Sequence, residues 1–268
     1  KAELLDSGLD FLIDVQKGAA RPVGKRVLVI GGGSVAVDVA ITARRSGARE
    51  VSMACLESLD IMPAIPEDIE QAHEENITIL PSWGPLHVLE QNGVLTGLEL
   101  VRCTSVFNQE GRFAPEFDSA TTLTVEADQV LVAIGQAADL APYEGMLQIE
   151  RGLIFTDRET RSTSLKGVFA GGDVTGGSAV VVQAMAEGRS AAQRMDQTLR
   201  ERDLPGDTAP VNHKTLKINP AALLSSQPVV TPRIPLPLRT LKGEDMQPIN
   251  EEEVLHEANR CANCGCVA

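Results

Sequence analysis

The sequence predicts an α/β fold around a parallel sheet, and three observations carry the prediction. Arg26–Ile30 (RVLVI) is a continuous apolar run between turn residues, the pattern of a strand buried on both faces. Gly31-Gly32-Gly33 follows at once, and residues 35–45 then carry a helical repeat that ends near Gly47. Residues 50–56 (EVSMACL) read as a second strand. Strand, glycine turn, helix and strand within about 30 residues make a βαβ unit.

The other elements follow in order. Leu5, Leu9, Leu12 and Ile13 are spaced to share one face of a short helix within residues 1–20, ended by Gly18. Residues 66–75 form an acidic helix with Pro66 at its start, where a missing N–H does no harm. Residues 77–80 make a third parallel strand. Short alternating segments at 87–91, 98–104 and 123–126, joined by polar turns, read as an antiparallel meander. Residues 129–134 (QVLVAI) return to the buried type and stop at Gly135. Strands are expected at 153–156 and 168–170, the second running into Gly171-Gly172-Asp173, with a long helix over 178–202. From Pro205 to Pro248 lie eight of the fifteen prolines, so this stretch reads as an extended strap. Asn250 caps a last short helix, with Glu253 in the reciprocal position, before Cys261, Cys264 and Cys266. There is no internal repeat.

A length of 268 residues implies one to two domains. The net charge of −13 argues against nucleic acid or an anionic membrane as partner. Hydrophobic residues make up 43% and charged ones 23%, the balance of a globular chain, but no aromatic residue follows Phe169, leaving the last stretch poor in core-forming side chains. No apolar run approaches the ~20 residues of a membrane span. The first residues are too acidic and interrupted for a signal peptide. They also lack an initiator Met, so the sequence reads as a piece of a longer chain. Five cysteines, three of them within six residues, do not suit a secreted disulfide framework; they point to reducing cytosol and a cytoplasmic protein.

Gly31-Gly32-Gly33-Ser34-Val35-Ala36 is a G-x-G-x-x-A fingerprint between a strand and a helix, which makes the unit a Rossmann-like dinucleotide-binding domain. Gly31 permits the tight turn, Gly33 lets a pyrophosphate approach the backbone, and Ala36 lets the helix lie close on the strand. Ser34 and Val35 belong to the helix start, whose unpaired N–H groups and dipole favour phosphate. After the second strand come Cys55-Leu56-Glu57-Ser58-Leu59-Asp60, with no Lys or Arg. Glu57 suits a ribose 2′-OH and would repel a 2′-phosphate, so NAD(H) is expected over NADP(H); the alternative is that Glu57 is a solvated loop charge.

These motifs, with MPA at residues 62–64, VLVAIGQ at 130–136 and GVFAGGDVTGGSAVVVQAMAEGR at 167–189, resemble the glutamate synthase small (beta) subunit-like family. That family lies within the pyridine nucleotide-disulfide oxidoreductase superfamily. The resemblance implies a nucleotide domain inserted into an FAD domain, with Gly135 at the return crossing and Gly172 and Asp173 as FAD contacts. By themselves these two residues read as a common turn. Relatives that use NADPH usually carry two Arg where this sequence has Leu56 and Glu57. The family's FAD fingerprint precedes the nucleotide domain, and no second fingerprint occurs before residue 31. The implied division is residues 1–22, a linker helix from the FAD domain; 23–137, the NAD(H) domain; 138–204, the C-terminal part of the FAD domain; and 205–268, the strap and cysteine tail.

The spacing of Cys261, Cys264 and Cys266 suits an iron–sulfur or zinc site lacking its fourth ligand, or else plain reduced thiols. The fourth ligand would come from beyond residue 268, from Cys55 or Cys103, or from another subunit. Cys55 and Cys103 themselves read as small buried apolar residues. Two functions follow. In the first, NADH passes a hydride to FAD, and electrons leave through an iron–sulfur cluster or another redox partner; this chain alone, lacking a complete FAD site, would be inactive. In the second, the chain is a non-catalytic nucleotide-binding or docking module with a metal-binding tail.

Overall fold

Strands β1 (Asp6–Ser7), β2 (Arg26–Ile30), β3 (Glu50–Cys55), β4 (Thr78–Pro81) and β8 (Gln129–Val132) form a five-stranded parallel sheet in the order β1–β8–β2–β3–β4. This is a computed structural model that describes residues 2–19, 22–176, 180–200 and 227–260. The chain leaves β2 toward β3 on one side and returns as β8 on the other. The carboxyl end of β2 is therefore a topological switch point, where open α/β sheets take ligands.

The apolar run of β2 is explained by burial on two sides. Val27 and Val29 pack with Val37, Ala40 and Ala43 of helix α2 (Ser34–Arg45). Leu28 and Ile30 pack against Leu98 and Leu100 of a three-stranded antiparallel sheet. That sheet comprises β5 (Trp83–Gln91), β6 (Val94–Phe107) and β7 (Phe113–Glu126). Each fully buried aliphatic side chain contributes about 1.5–3 kcal/mol. The first meander turn uses Asn92 and Gly93, both at positive φ (54° and 78°), which matches the twist of the strands it joins. The meander strands are longer than expected because β7 is mostly exposed, so its polar Thr-rich stretch shows little apolar alternation.

Helix α1 (Gly8–Gln16) is capped by the Ser7 hydroxyl, which accepts from the Asp10 N–H at 3.2 Å. Phe11 is buried and Leu12 packs against the same core, as Leu5 does against the second core cluster, while Leu9 and Ile13 are exposed; the expected face is corrected at these last two. Pairing of Asp6 with Leu131 and Ser7 with Val132 fixes how the helix starts, and Gly8 lets it approach Val39 closely. Helix α3 (Pro66–Glu74) ends one residue short of its expected bound.

By compactness the chain divides into two units, residues 1–135 with 230–250, and residues 136–229 with 251–268. In the second unit β9 (Ile149–Glu150) and β10 (Leu153–Ile154) form a small antiparallel pair. The strand expected at 168–170 is reduced to an isolated bridge between Ser162 and Phe169. Helices α4 (Asp173–Gly176), α5 (Val181–Arg200) and α6 (Glu251–Arg260) complete the described part.

In the first unit, residues 230–250 are held by part-buried ion pairs. The Arg45 guanidinium donates to Glu75 Oε1 at 2.6 Å and to Asp245 Oδ2 at 2.8 Å. Gln71 also donates to Asp245, at 2.7 Å, and Arg239 pairs with Glu74 at 2.7 Å. Glu75 and the Arg239 side chain are both only 5% exposed. Arg45→Met removes the shared partner of Glu75 and Asp245, leaving them only Arg239 at 3.7 Å and Gln71, and is expected to cost about 2–4 kcal/mol. Amide exchange should rise first at residues 230–250. Arg112→Met, which breaks an exposed 3.4 Å pair with Glu110, serves as the control and should cost less than about 1 kcal/mol in a urea melt.

Candidate functional site

At the carboxyl ends of β2 and β3 the glycine turn is built by close approach. Gly31 has φ +149°, and a Cβ there would lie 2.2 Å from the Ala133 carbonyl oxygen. Its N–H donates to the Ala54 carbonyl at 2.9 Å, joining the turn to β3. A Cβ on Gly32 would lie 2.9 Å from both Cys55 Cβ and Glu57 Oε2. A Cβ on Gly33 would meet nothing within 4 Å. Gly33 is the N-cap of α2, with φ −90° and ψ 170°, and its carbonyl accepts from Ala36 and Val37. The fingerprint reading places Gly31, Gly33 and Ala36 but gives Gly32 no role; the structure crowds Gly32 too, though by side chains and less tightly than the backbone crowds Gly31. The run of three glycines was the available signal.

Ala36 is fully buried, while Val35 is exposed at the start of α2. Residues 62–64 close over the turn: the Ala64 N–H donates to the Gly32 carbonyl at 3.0 Å, and the Ile65 N–H reaches Ser34 Oγ at 3.5 Å. The first turn of a helix leaves N–H groups without intrahelical partners, and these are the donors available at Ser34 and Val35. Glu57 lies with its carboxylate against Gly32, as the 2.9 Å approach shows. Gly33, Ser34, Val35 and Glu57 thus gather at one edge of the sheet. Gly135 follows β8 in the same unit, with φ +112° and open space around it.

Cys55 and Cys103 are free and buried, as the sequence indicated. Burial first, then the charge of Glu57, pushes the Cys55 thiol up to about 11, so it stays protonated at neutral pH. Burial also raises the Cys103 thiol; Glu57 adds to the shift and Arg102 opposes it, so both charges act on this thiol.

The meander reaches the same edge. The Ser82 N–H donates to the Glu57 carbonyl at 2.8 Å, and the Cys103 N–H donates to the Ser82 carbonyl at 2.9 Å. A Cβ on Gly84 would lie 2.7 Å from Phe117 and 2.8 Å from Leu56, so the corner at Trp83-Gly84 is tightly packed. Arg102, paired with Trp83 across the strands, stacks its guanidinium 5.3 Å from the indole centroid.

In the second unit Gly172 has φ +78°, and its N–H donates to Glu187 Oε2 at 2.7 Å. Asp173 is exposed and begins α4. A Cβ on Gly171 would lie 3.1 Å from Glu187 Cβ. Glu187, buried on α5, is a residue the sequence reading missed, because an AEGR segment on an amphipathic helix looks like ordinary surface. The Gly172 N–H chiefly, with Gln183, Arg161 and Thr175, holds its carboxyl below the usual range. Its contribution to stability is therefore present above the ordinary carboxylate pKa of about 4.3 and lost as pH falls through the lower folded value. Glu187→Gln should cost about 1–3 kcal/mol at neutral pH and flatten the acid dependence of amide exchange at Gly172 and Thr175. Cys261, Cys264 and Cys266 lie outside the described residues. Among the described residues no group of three or more His, Cys, Asp or Glu side chains could hold a metal ion, and no helix is long and apolar enough to cross a membrane.

Comparison with known proteins agrees with the fold and the family resemblance. Residues 2–188 match the family described as Pyridine nucleotide-disulphide oxidoreductase. The chain is 37% identical over 206 residues to the NADP(+)-dependent formate dehydrogenase subunit beta of Moorella thermoacetica, covering 76% of this chain and 29% of that protein. It is 33% identical over 183 residues to the glutamate synthase [NADPH] small chain of Azospirillum brasilense, covering 66% of this chain and 38% of that protein. The chain thus spans about a third of the length of these relatives. Lactococcus lactis thioredoxin reductase superposes with a TM-score of 0.54 at 20% identity, over 74% of this chain and 62% of that structure, which shows a shared fold.

One expectation is corrected here. The preference for NAD(H) over NADP(H), drawn from Glu57 and the lack of a neighbouring cation, is overturned because both relatives are named for NADP(+) or NADPH. The charge argument considered only the loop after β3, whereas the fold also packs the meander beside that loop through Ser82 and Cys103. On the match of residues 2–188, the chain belongs to the pyridine nucleotide-disulphide oxidoreductase family.

Proposed function

We propose that this chain is the nucleotide-binding portion of an NADPH-dependent flavin oxidoreductase subunit. The glycine turn carries the reading: Gly31 and Gly32 have no room for a side chain, while Gly33 opens onto solvent at the start of α2. A pyrophosphate resting on Gly33, Ser34 and Val35 would meet backbone donors and the positive end of the helix dipole. Residues 62–64 and Ser34 keep the turn in shape through the Ala64 and Ile65 N–H groups. Gly135 would let the chain leave the nucleotide domain, and residues 23–137 would form that domain.

For the flavin, the positive φ of Gly172 and the exposed Asp173 fit a turn that a ligand can approach, while Gly171 packs on α5 and Glu187 holds the Gly172 N–H in place. Gly172 and Asp173 would contribute part of an FAD site. When bound, FAD would supply the chemistry that links the two-electron donor NADPH to a one-electron partner such as an iron–sulfur cluster. Cys261, Cys264 and Cys266 would supply thiolate ligands to such a cluster. Hydride transfer between bound cofactors needs positioning rather than a protein acid or base, which agrees with a site of glycines and backbone amides.

Calorimetric titration of the chain with NADPH tests the reading. Saturable binding, with no turnover by this chain alone, is expected. Absence of binding at millimolar NADPH would refute it.

A further inference from the structure

We propose that Arg102 is the cation that receives the adenosine 2′-phosphate of NADP(H), with the Trp83 indole holding its guanidinium in place. This rests on the reading that the Gly31–Ala36 turn binds the nucleotide, and it adds the residue that sets the phosphate preference.

The sequence holds no Lys or Arg between Arg49 and Arg102, nor between Arg26 and Arg44. Neither β2, β3 nor the loop after β3 can therefore offer a cation at the carboxyl edge of the sheet. The fold supplies one through the meander. Two backbone hydrogen bonds, Ser82 to Glu57 and Cys103 to Ser82, tie the start of β5 and the middle of β6 to the end of β3. Leu56 and Phe117 close on Gly84 and fix this corner by packing. Arg102 stands opposite Trp83 in the ladder and stacks on its ring at 5.3 Å.

Several other arginines of this unit are engaged elsewhere: Arg26 pairs with Asp128, Arg45 with Glu75 and Asp245, and Arg239 with Glu74, while Arg49 precedes β3 at its opposite, amino end. Among the described residues Arg102 makes no ion pair, and it is exposed. A guanidinium stacked by its face keeps its N–H edge available, and that edge matches two phosphate oxygens. Glu57, with its carboxylate against Gly32, stands nearer the turn.

The test compares the full chain with Arg102→Gln and Arg102→Lys, using NADPH, NADH and the fragment 2′,5′-ADP as probes. Arg102→Gln should weaken NADPH binding about ten- to hundredfold and leave NADH binding unchanged. Arg102→Lys should fall between. Trp83 is the single tryptophan, so 2′,5′-ADP should alter its emission in the wild-type chain and not in Arg102→Gln. Wild-type NADPH binding that Arg102→Gln leaves intact, or an equal loss of NADPH and NADH, overturns the assignment of Arg102 alone. A wild-type chain that binds neither nucleotide overturns the reading beneath it as well.

Discussion

Gly31→Ala is expected to unfold much of the nucleotide-binding unit rather than merely weaken ligand binding. The new methyl would sit 2.2 Å from the Ala133 oxygen and 2.8 Å from its carbonyl carbon, and backbone cannot move aside as a flexible side chain can. The position also has φ +149°, a conformation that L side chains rarely adopt. Overpacking and backbone strain together should cost about 3–5 kcal/mol, a large share of the about 5–15 kcal/mol that holds a typical domain folded. Any shift of Gly31 also pulls on its bond to Ala54, where β2 meets β3. The midpoint of a urea melt should fall sharply, and nucleotide binding should be lost with the fold. A melt like that of the wild type would mean that the turn is looser than its contacts indicate.

Gly33→Asp should do the opposite: leave the fold intact and abolish binding. Gly33 has φ −90°, which any residue accepts, and its Cβ would enter open space. Asp is a better N-cap than Gly, so stability should hold or rise by a few tenths of a kcal/mol. The same carboxylate would stand where a pyrophosphate is proposed to lie. Like-charge juxtaposition costs several kcal/mol, so NADPH affinity should drop by about a hundredfold or more. Calorimetry and a thermal melt on the same preparation separate the two effects. Unchanged affinity would move the phosphates away from this turn.

Gly31 and its neighbour Gly32 show where sequence reasoning works and where it stops. β2, α2 and β3 were legible nearly residue by residue because each is a buried apolar segment with a glycine or charged boundary. Gly31 was legible because a strand running directly into a helix needs a sharp turn. Gly32 was not, because what excludes its Cβ is Cys55 and Glu57, which the next strand brings in. Helix α1 was recognised as a helix, but the face it buries depends on the two-residue pairing of Asp6 and Ser7 with β8. Two polar residues carry no strand signal, so Phe11 rather than Leu9 or Ile13 turned inward. Of the expected strap, residues 205–226 lie outside the described residues; the anchoring of residues 230–250 was not legible, because Arg45 meets Asp245 only after folding. The nucleotide preference was misread for a like reason: Glu57 was taken with its chain neighbours alone, without the strands that the fold packs beside it.

Co-crystallisation of the chain with NADP(+) should show the pyrophosphate within hydrogen-bond distance of the backbone N–H groups of Ser34 and Val35, lying over Gly33. A dinucleotide bound elsewhere, or a vacant glycine turn at saturating NADP(+), would contradict the proposed nucleotide site.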